Sequence, residues 1–198
     1  MKKFLHVGCG WQTKTEIRKG FNTDAWQEVR FDIDPNVKPD IVGAMTDMRL
    51  VPTASMDALY SSHNIEHVYA HEVPVVLREF HRVLKTDGFV VLTCPDIQTV
   101  CEAVVQDKLL EALYVSPAGP IAPLDILYGH RASMAQGNLH MAHKCGFTYS
   151  ALLGAFLEAG FAGIIGGREL PAFNLWLLAH KGRQSEKFLK EIGAVYLP

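Results

Sequence analysis

Two aspartates and a tight group of imidazoles are the residues of this chain best placed to do chemistry. Asp32 follows the apolar run Glu28-Val29-Arg30-Phe31, and Asp47 follows the shorter run Asp40-Ile41-Val42. If those runs are strands of an open α/β sheet, both carboxylates stand at strand tips, where such sheets bind their ligands. A carboxylate at that place accepts both hydroxyls of a ribose. A further run, Met56-Asp57-Ala58-Leu59-Tyr60-Ser61, opens into Ser62-His63-Asn64-Ile65-Glu66-His67-Val68. Imidazoles titrate near neutrality and suit a general base, so His63 and His67 are candidates, with His143 further along the chain as a third.

Metal binding is the competing use for these histidines. His63-x-x-Glu66-His67 has the spacing of a zinc-peptidase signature, which needs a helix carrying both histidines and a distant third ligand. Here the segment follows a strand directly. His140-x-x-His143-x-Cys145 offers imidazole and thiolate, but no fourth ligand is identifiable and the paired cysteines of closed structural sites are missing. No metal site is expected. His130, His140 and His143 read either as a polar surface loop or as substrate contacts.

The elements that must position these residues follow from the hydropathy pattern. A chain of 198 residues, 48% of them hydrophobic, suits a single globular domain with a sizeable core. A net charge of −2 without a basic run speaks against nucleic acid or anionic membranes as partners. No apolar run approaches the roughly 18 residues of a membrane span. Cys9, Cys94, Cys101 and Cys145 show no paired spacing and Met1-Lys2-Lys3 leads straight into the first strand, so a reducing cytoplasm is the expected compartment.

In order, Phe4-Leu5-His6-Val7 is a strand ending in the turn Gly8-Cys9-Gly10, and Trp11 to Gln27 reads as loop with one short helix. Val73, Val76, Leu77, Phe80 and Leu84 recur at helical spacing, with Lys85-Thr86-Asp87-Gly88 closing that helix. Phe89 to Cys94 is a strand of the kind buried on both faces. A helix is expected from Ile97 to Val115, then a Pro-, Gly- and His-containing stretch at 116–146 with the composition of a mobile loop. Thr148 caps a helix that ends at Gly160, Ile164-Ile165 and Phe173 to Ala179 supply two more strands, and Phe188, Leu189 and Ile192 mark a last short helix. Strands alternating with helices predict an α/β fold.

In this order and spacing, Leu5-His6-Val7-Gly8-Cys9-Gly10, Phe31-Asp32-Ile33-Asp34-Pro35, Thr46-Asp47-Met48-Arg49-Leu50-Val51-Pro52, Ile65-Glu66-His67-Val68, Leu77 to Gly88 and Leu157-Glu158-Ala159-Gly160-Phe161 make the chain resemble a class I S-adenosylmethionine-dependent methyltransferase, of the compact kind known as methyltransferase type 11. The likeness runs over about residues 4 to 181. It implies a Rossmann-like single domain, a mostly parallel seven-stranded sheet with its final strand antiparallel and helices on both faces, carrying an inserted cover at about 96–146. It implies S-adenosylmethionine as cofactor and a small-molecule methyl acceptor, saccharide- or lipid-related among the choices; a cofactor-binding protein without catalysis is the alternative, and a zinc hydrolase a remoter one.

Residue by residue, the resemblance has Val7, Gly8, Cys9 and Gly10 bordering the methionine portion, Asp32 on the ribose hydroxyls and Ile33 against the adenine. Asp47 accepts from the adenine amino group with Met48 beside it, while Ser62 and His63 border the amino-acid end. Asp57 is structural. The first motif lacks a further glycine common in the family, and almost nothing precedes the first strand to close over the cofactor. Closure then falls to residues 116–146 or to a neighbouring subunit in a homodimer.

Overall fold

The computed structural model describes residues 1–17 and 20–198. Its sheet is built from β1 (Lys2–Val7), β2 (Trp26–Asp32), β3 (Ile41–Val42), β4 (Met56–Ser62), β5 (Leu84–Pro95), β8 (Gly163–Glu169) and β9 (Asn174–His180), in the order β3-β2-β1-β4-β5-β9-β8; the intervening β6 (Tyr114–Ser116) and β7 (Gly119–Ile121) pair only with each other. β1 to β5 pair in parallel, and β9 runs antiparallel to both β5 and β8. The expected seven-stranded sheet with its antiparallel last strand is therefore the fold. Strand order reverses between β1 and β4, which makes their carboxyl ends the topological switch point.

Alternation along β1 feeds two cores, because successive side chains of a strand point to opposite faces. Leu5 and Val7 join an aliphatic core with Leu77 and Phe80 of α1 (Val73–Val83) and with Leu152 and Phe156 of α5 (Tyr149–Glu158). Phe4 faces the other way, into an aromatic core of Phe21, Trp26, Tyr60, Phe89 and Trp176. That face is closed by α6 (Glu186–Tyr196), whose Tyr196 ring lies 4.8 Å from Phe21 and whose hydroxyl accepts from Trp26 Nε1 at 3.2 Å. Thr148 caps α5 as expected, its Oγ1 accepting the Ala151 N–H at 3.3 Å.

Three expectations need correction. Lys85 to Gly88 belong to β5, which follows α1 without a break; the shift in register between Met56 and Ala58 absorbs them where β4 and β5 begin to pair. The helix from Ile97 stops at Val105 as α2 rather than reaching Val115, where the β6–β7 hairpin stands instead. The stretch at 116–146 is packed structure rather than loose loop, with α3 (Pro123–Tyr128), α4 (Arg131–Ala135) and a 3-10 turn at Leu139–Met141. Its Ile121 and Ile126 bury against Val100 of α2. Between Trp11 and Gln27 the described residues form turns before β2; Arg18 and Lys19, on which part of the expected short helix falls, lie outside them.

Asp125 staples the cover together. Its carboxylate accepts from Arg131 Nε at 2.7 Å, Arg131 Nη2 at 2.9 Å and the Ala122 N–H at 3.0 Å, and it is buried. The Arg131 hydrogen bond, opposed by burial, holds its carboxyl below the ordinary 3.8, at about 2. A depressed folded-state value means that its stabilisation is complete above the ordinary value and is lost as pH falls through the folded one. The Tm difference between the natural chain and Asp125→Asn, followed by circular dichroism, is therefore expected to be largest above pH 3.8 and to shrink toward pH 2.

Candidate functional site

Arg30 and Asp32 stand two apart on β2 and so project from the same face of the strand. Together they bracket Gly10. Asp32 Oδ2 accepts the Gly10 N–H at 2.8 Å while Arg30 Nη2 donates to the Gly10 carbonyl at 2.5 Å. The same guanidinium donates to the carbonyls of Gln12 and Lys38 at 3.2 and 2.9 Å, and Asp32 Oδ1 accepts from the Asp34 N–H at 2.9 Å. The turns after β1 and β2 are thus shaped by one strand.

The facing wall comes from the end of β4. Asn64 turns back so that its Nδ2 donates to the Val7 and Ser62 carbonyls at 3.0 and 2.7 Å. Its side chain occupies the space where a Cβ on Gly8 would sit, 1.8 Å from Asn64 Oδ1. Gly8, at φ +64°, is therefore demanded by Asn64, whereas at Gly10, at φ +52°, a Cβ would meet no atom within 4 Å. His63 adopts the left-handed conformation, φ +52°, a strained choice for a non-glycine residue and one found disproportionately at functional sites.

Between these walls and the cover lies a cleft of about 580 Å3 lined by Gly8, Gly10, Asp32, Ile33, Ser62, His63 and His67, with Ala44 to Thr46 along one edge. From the cover come Asn138, His140, Met141 and Lys144. The size suits a cofactor-sized ligand. Asn64, Lys144 and Trp11 also line it and carried no signal in the sequence, because their placement depends on contacts remote along the chain.

Other expected site residues fall elsewhere. Asp47 lies in a neighbouring groove with Arg49, Arg78, Glu79 and Arg82, paired to Arg49. Met48 is fully buried, its N–H donating to Glu79 Oε2 at 2.9 Å and its carbonyl accepting from Arg82 Nη2 at 2.8 Å. This clamp on α1 turns Asp47 and Met48 away from the cleft. Cys9 and Val7 are buried and stand outside the residues that line it. His143 also lies off the cleft lining, its Nδ1 donating to the Ile126 carbonyl at 2.6 Å. Burial pushes its imidazole below the ordinary value. Asp57 is structural as expected, accepting from the Lys3 N–H and from Lys85 Nζ, both at 2.8 Å.

Under the cleft floor the sequence spacings regroup. Ile65–His67 form one 3-10 turn, which does not carry His63 and His67 as the helix of a zinc-peptidase site would. Nor do His140, His143 and Cys145 form a set, since Cys145 Sγ donates to the Ile65 carbonyl at 3.3 Å. Instead Glu66, His67 and His143 come together, one ligand atom of each within 4.8 Å of the others.

Residues 5–92 match the family model of the methyltransferase domain. Among solved structures, the chain is similar to a Methanosarcina mazei S-adenosylmethionine-dependent methyltransferase at 14% identity and a TM-score of 0.60, covering 92% of this chain and 93% of that one. A Burkholderia thailandensis 1,6-didemethyltoxoflavin-N1-methyltransferase, solved with 1,6-didemethyltoxoflavin and S-adenosylhomocysteine, is 15% identical at a TM-score of 0.57, over 90% of this chain and 70% of that one. The CMeT domain of a citrinin polyketide synthase is 12% identical at 0.56, over 92% of this chain; this chain spans 47% of that structure, about half its length. No curated protein sequence matches the chain.

The two glycines of the first turn separate strain from crowding. Gly10→Ala is expected to cost about 1–2 kcal/mol, the penalty of a left-handed residue bearing a Cβ. Gly8→Ala adds overpacking against Asn64, a further ~1–3 kcal/mol. Urea denaturation of the two variants beside Gly8→Ala/Asn64→Ala measures the difference; equal losses in both single variants would contradict the role given to Asn64.

Proposed function

We propose that this chain is a class I S-adenosylmethionine-dependent methyltransferase and transfers a methyl group from S-adenosylmethionine to a small-molecule acceptor held between the strand tips and the cover. The observation that carries the reading is Asp32, a carboxylate at the tip of β2, next to the switch point, lining a cleft of about 580 Å3. The residues present fit the cofactor. Each Asp32 oxygen accepts one backbone N–H and keeps acceptor capacity for a ribose hydroxyl. Ile33, half exposed, offers an apolar surface to a base, and the open space at Gly10 admits a ligand close to the backbone.

In this reading the turn Val7-Gly8-Cys9-Gly10 borders the methionine portion through its backbone, and Ser62 and His63 border the amino-acid end. The adenine edge meets the segment Ala44 to Thr46 rather than Asp47. Bound S-adenosylmethionine supplies an electrophilic methyl group, and what the protein adds is alignment and exclusion of water. An acceptor that carries a proton needs a base, and His63 is the best placed of the three histidines: it lines the cleft in a strained conformation, with Nδ1 3.4 Å from Glu66 Oε1. Residues 96–146 act as the cover of a single domain, and Asn138, His140, Met141 and Lys144 are the side chains through which it would meet the acceptor.

Calorimetric titration with S-adenosylhomocysteine tests this. The natural chain is expected to bind one equivalent, and Asp32→Ala to bind at least about tenfold more weakly, the loss of a charge-assisted hydrogen bond worth about 1.5–3 kcal/mol. Because Asp32 also holds Gly10, Asp32→Asn serves as the variant that retains an acceptor oxygen for that turn. No binding by the natural chain, or undiminished binding by a folded Asp32→Ala, would sink the reading.

A further inference from the structure

Among the described residues, Glu66 is a buried carboxylate left without a hydrogen bond to either oxygen. Its side chain is 1% exposed, and His63 Nδ1, 3.4 Å from Oε1, makes an ion-pair contact without an aligned hydrogen bond. A buried carboxylate in that condition carries a desolvation penalty that some positive charge must offset. Half-exposed His63 is a weak source of it.

The two imidazoles beside Glu66 are arranged as acceptors rather than as charge donors. His67 Nδ1 lies 3.0 Å from the Ala142 carbonyl and His143 Nδ1 lies 2.6 Å from the Ile126 carbonyl. A carbonyl only accepts, so each Nδ1 carries the proton, and in the neutral ring Nε2 is left with a free lone pair. Carbonyl contacts of this kind fix the tautomer of metal-binding histidines. The rings themselves sit 4.9 Å apart, an awkward distance for two cations.

The pairing of distant segments is also built in. The Lys144 and Cys145 N–H groups both donate to the Glu66 carbonyl, at 2.7 and 3.3 Å. This backbone clasp brings the end of the cover onto the turn after β4 and sets His143 against His67.

We propose that Glu66, His67 and His143 form a binding site for a divalent first-row transition cation, at the join between the cover and the floor of the cleft. One carboxylate oxygen and two imidazole nitrogens, each within 4.8 Å of the others, are a donor set suited to zinc, iron(II) or manganese(II). Three protein ligands leave coordination positions open, and His67 itself lines the cleft. The cation would neutralise Glu66 and lock the cover to the sheet. The site stands apart from the proposed methyl transfer, because nothing in it depends on the cofactor.

The test is a titration of metal-stripped full-length chain with Zn2+ against a chromophoric chelator, and with Co2+ read by its visible absorption. The expected result is one equivalent of either ion, with Co2+ bands of nitrogen and oxygen ligation. Glu66→Gln and His143→Ala should each weaken Zn2+ binding by more than roughly 100-fold, beyond what loss of an outer partner causes. His130→Ala, on the same cover but outside the cluster, should bind as the natural chain does. Absence of stoichiometric uptake by the folded natural chain overturns the proposal whatever the variants do, and so does uptake that both ligand variants retain. Zinc uptake by a chain that ignores S-adenosylhomocysteine would refute the proposed function and leave this site standing.

Discussion

The whole cleft depends on the two peptide groups that flank the Gly10 Cα being held by side chains of β2. Asp32 accepts the Gly10 N–H and Arg30 donates to the Gly10 carbonyl, while Asn64 donates to the Val7 carbonyl from the other side, so side chains of the neighbouring segments fix the turn after β1. Parallel pairing of Val7 with Phe31 sets the register that makes this geometry available. A one-residue slip would send Arg30 and Asp32 to the opposite face. Fold and site are therefore one constraint: the register that buries Phe31 also aims the carboxylate.

A second pair, Glu79 and Arg82 on α1, acts in the same manner at the other edge. They grip the backbone of Met48, and Arg82 reaches the Val51 carbonyl at 3.0 Å as well. Both clasps use a charged side chain against backbone polar groups, which stabilises irregular segments that have no ladder of their own. Asp96, fully buried just after β5, also takes a backbone group, the Gln98 N–H at 3.1 Å, and accepts besides from the side chains of Thr99 and of Arg168 in β8 at 2.6 Å each.

What could be read from the sequence divides along the same line. Strands, the α1 stripe and the Thr148 cap were legible because period, propensity and capping are local properties. Asp32 was legible because a strand tip follows from a strand. Asp47 was not: its direction is decided by Glu79 and Arg82, more than thirty residues away. Composition misread the cover, since the burial of Ile121 and Ile126 against Val100 cannot be inferred from prolines and glycines. Glu66 with His67 was visible as a pair, but its partner His143 comes from the cover, far along the chain, and no spacing rule connects them.

The aromatic face has a bearing on how the chain is made. Trp26 and Phe21 lean on Tyr196, and a Cβ on Gly20 would lie 2.2 Å from that tyrosine ring. The first strand pair thus waits for a helix synthesised some 170 residues later, a separation of the kind that slows folding. On the ribosome the parallel strands can assemble and bury their aliphatic side while Phe4, Phe21 and Trp26 remain uncovered. Until the last helix leaves the exit tunnel, the nascent chain presents an oily aromatic sheet face to its surroundings, and this interval is when the protein most needs shielding from its neighbours.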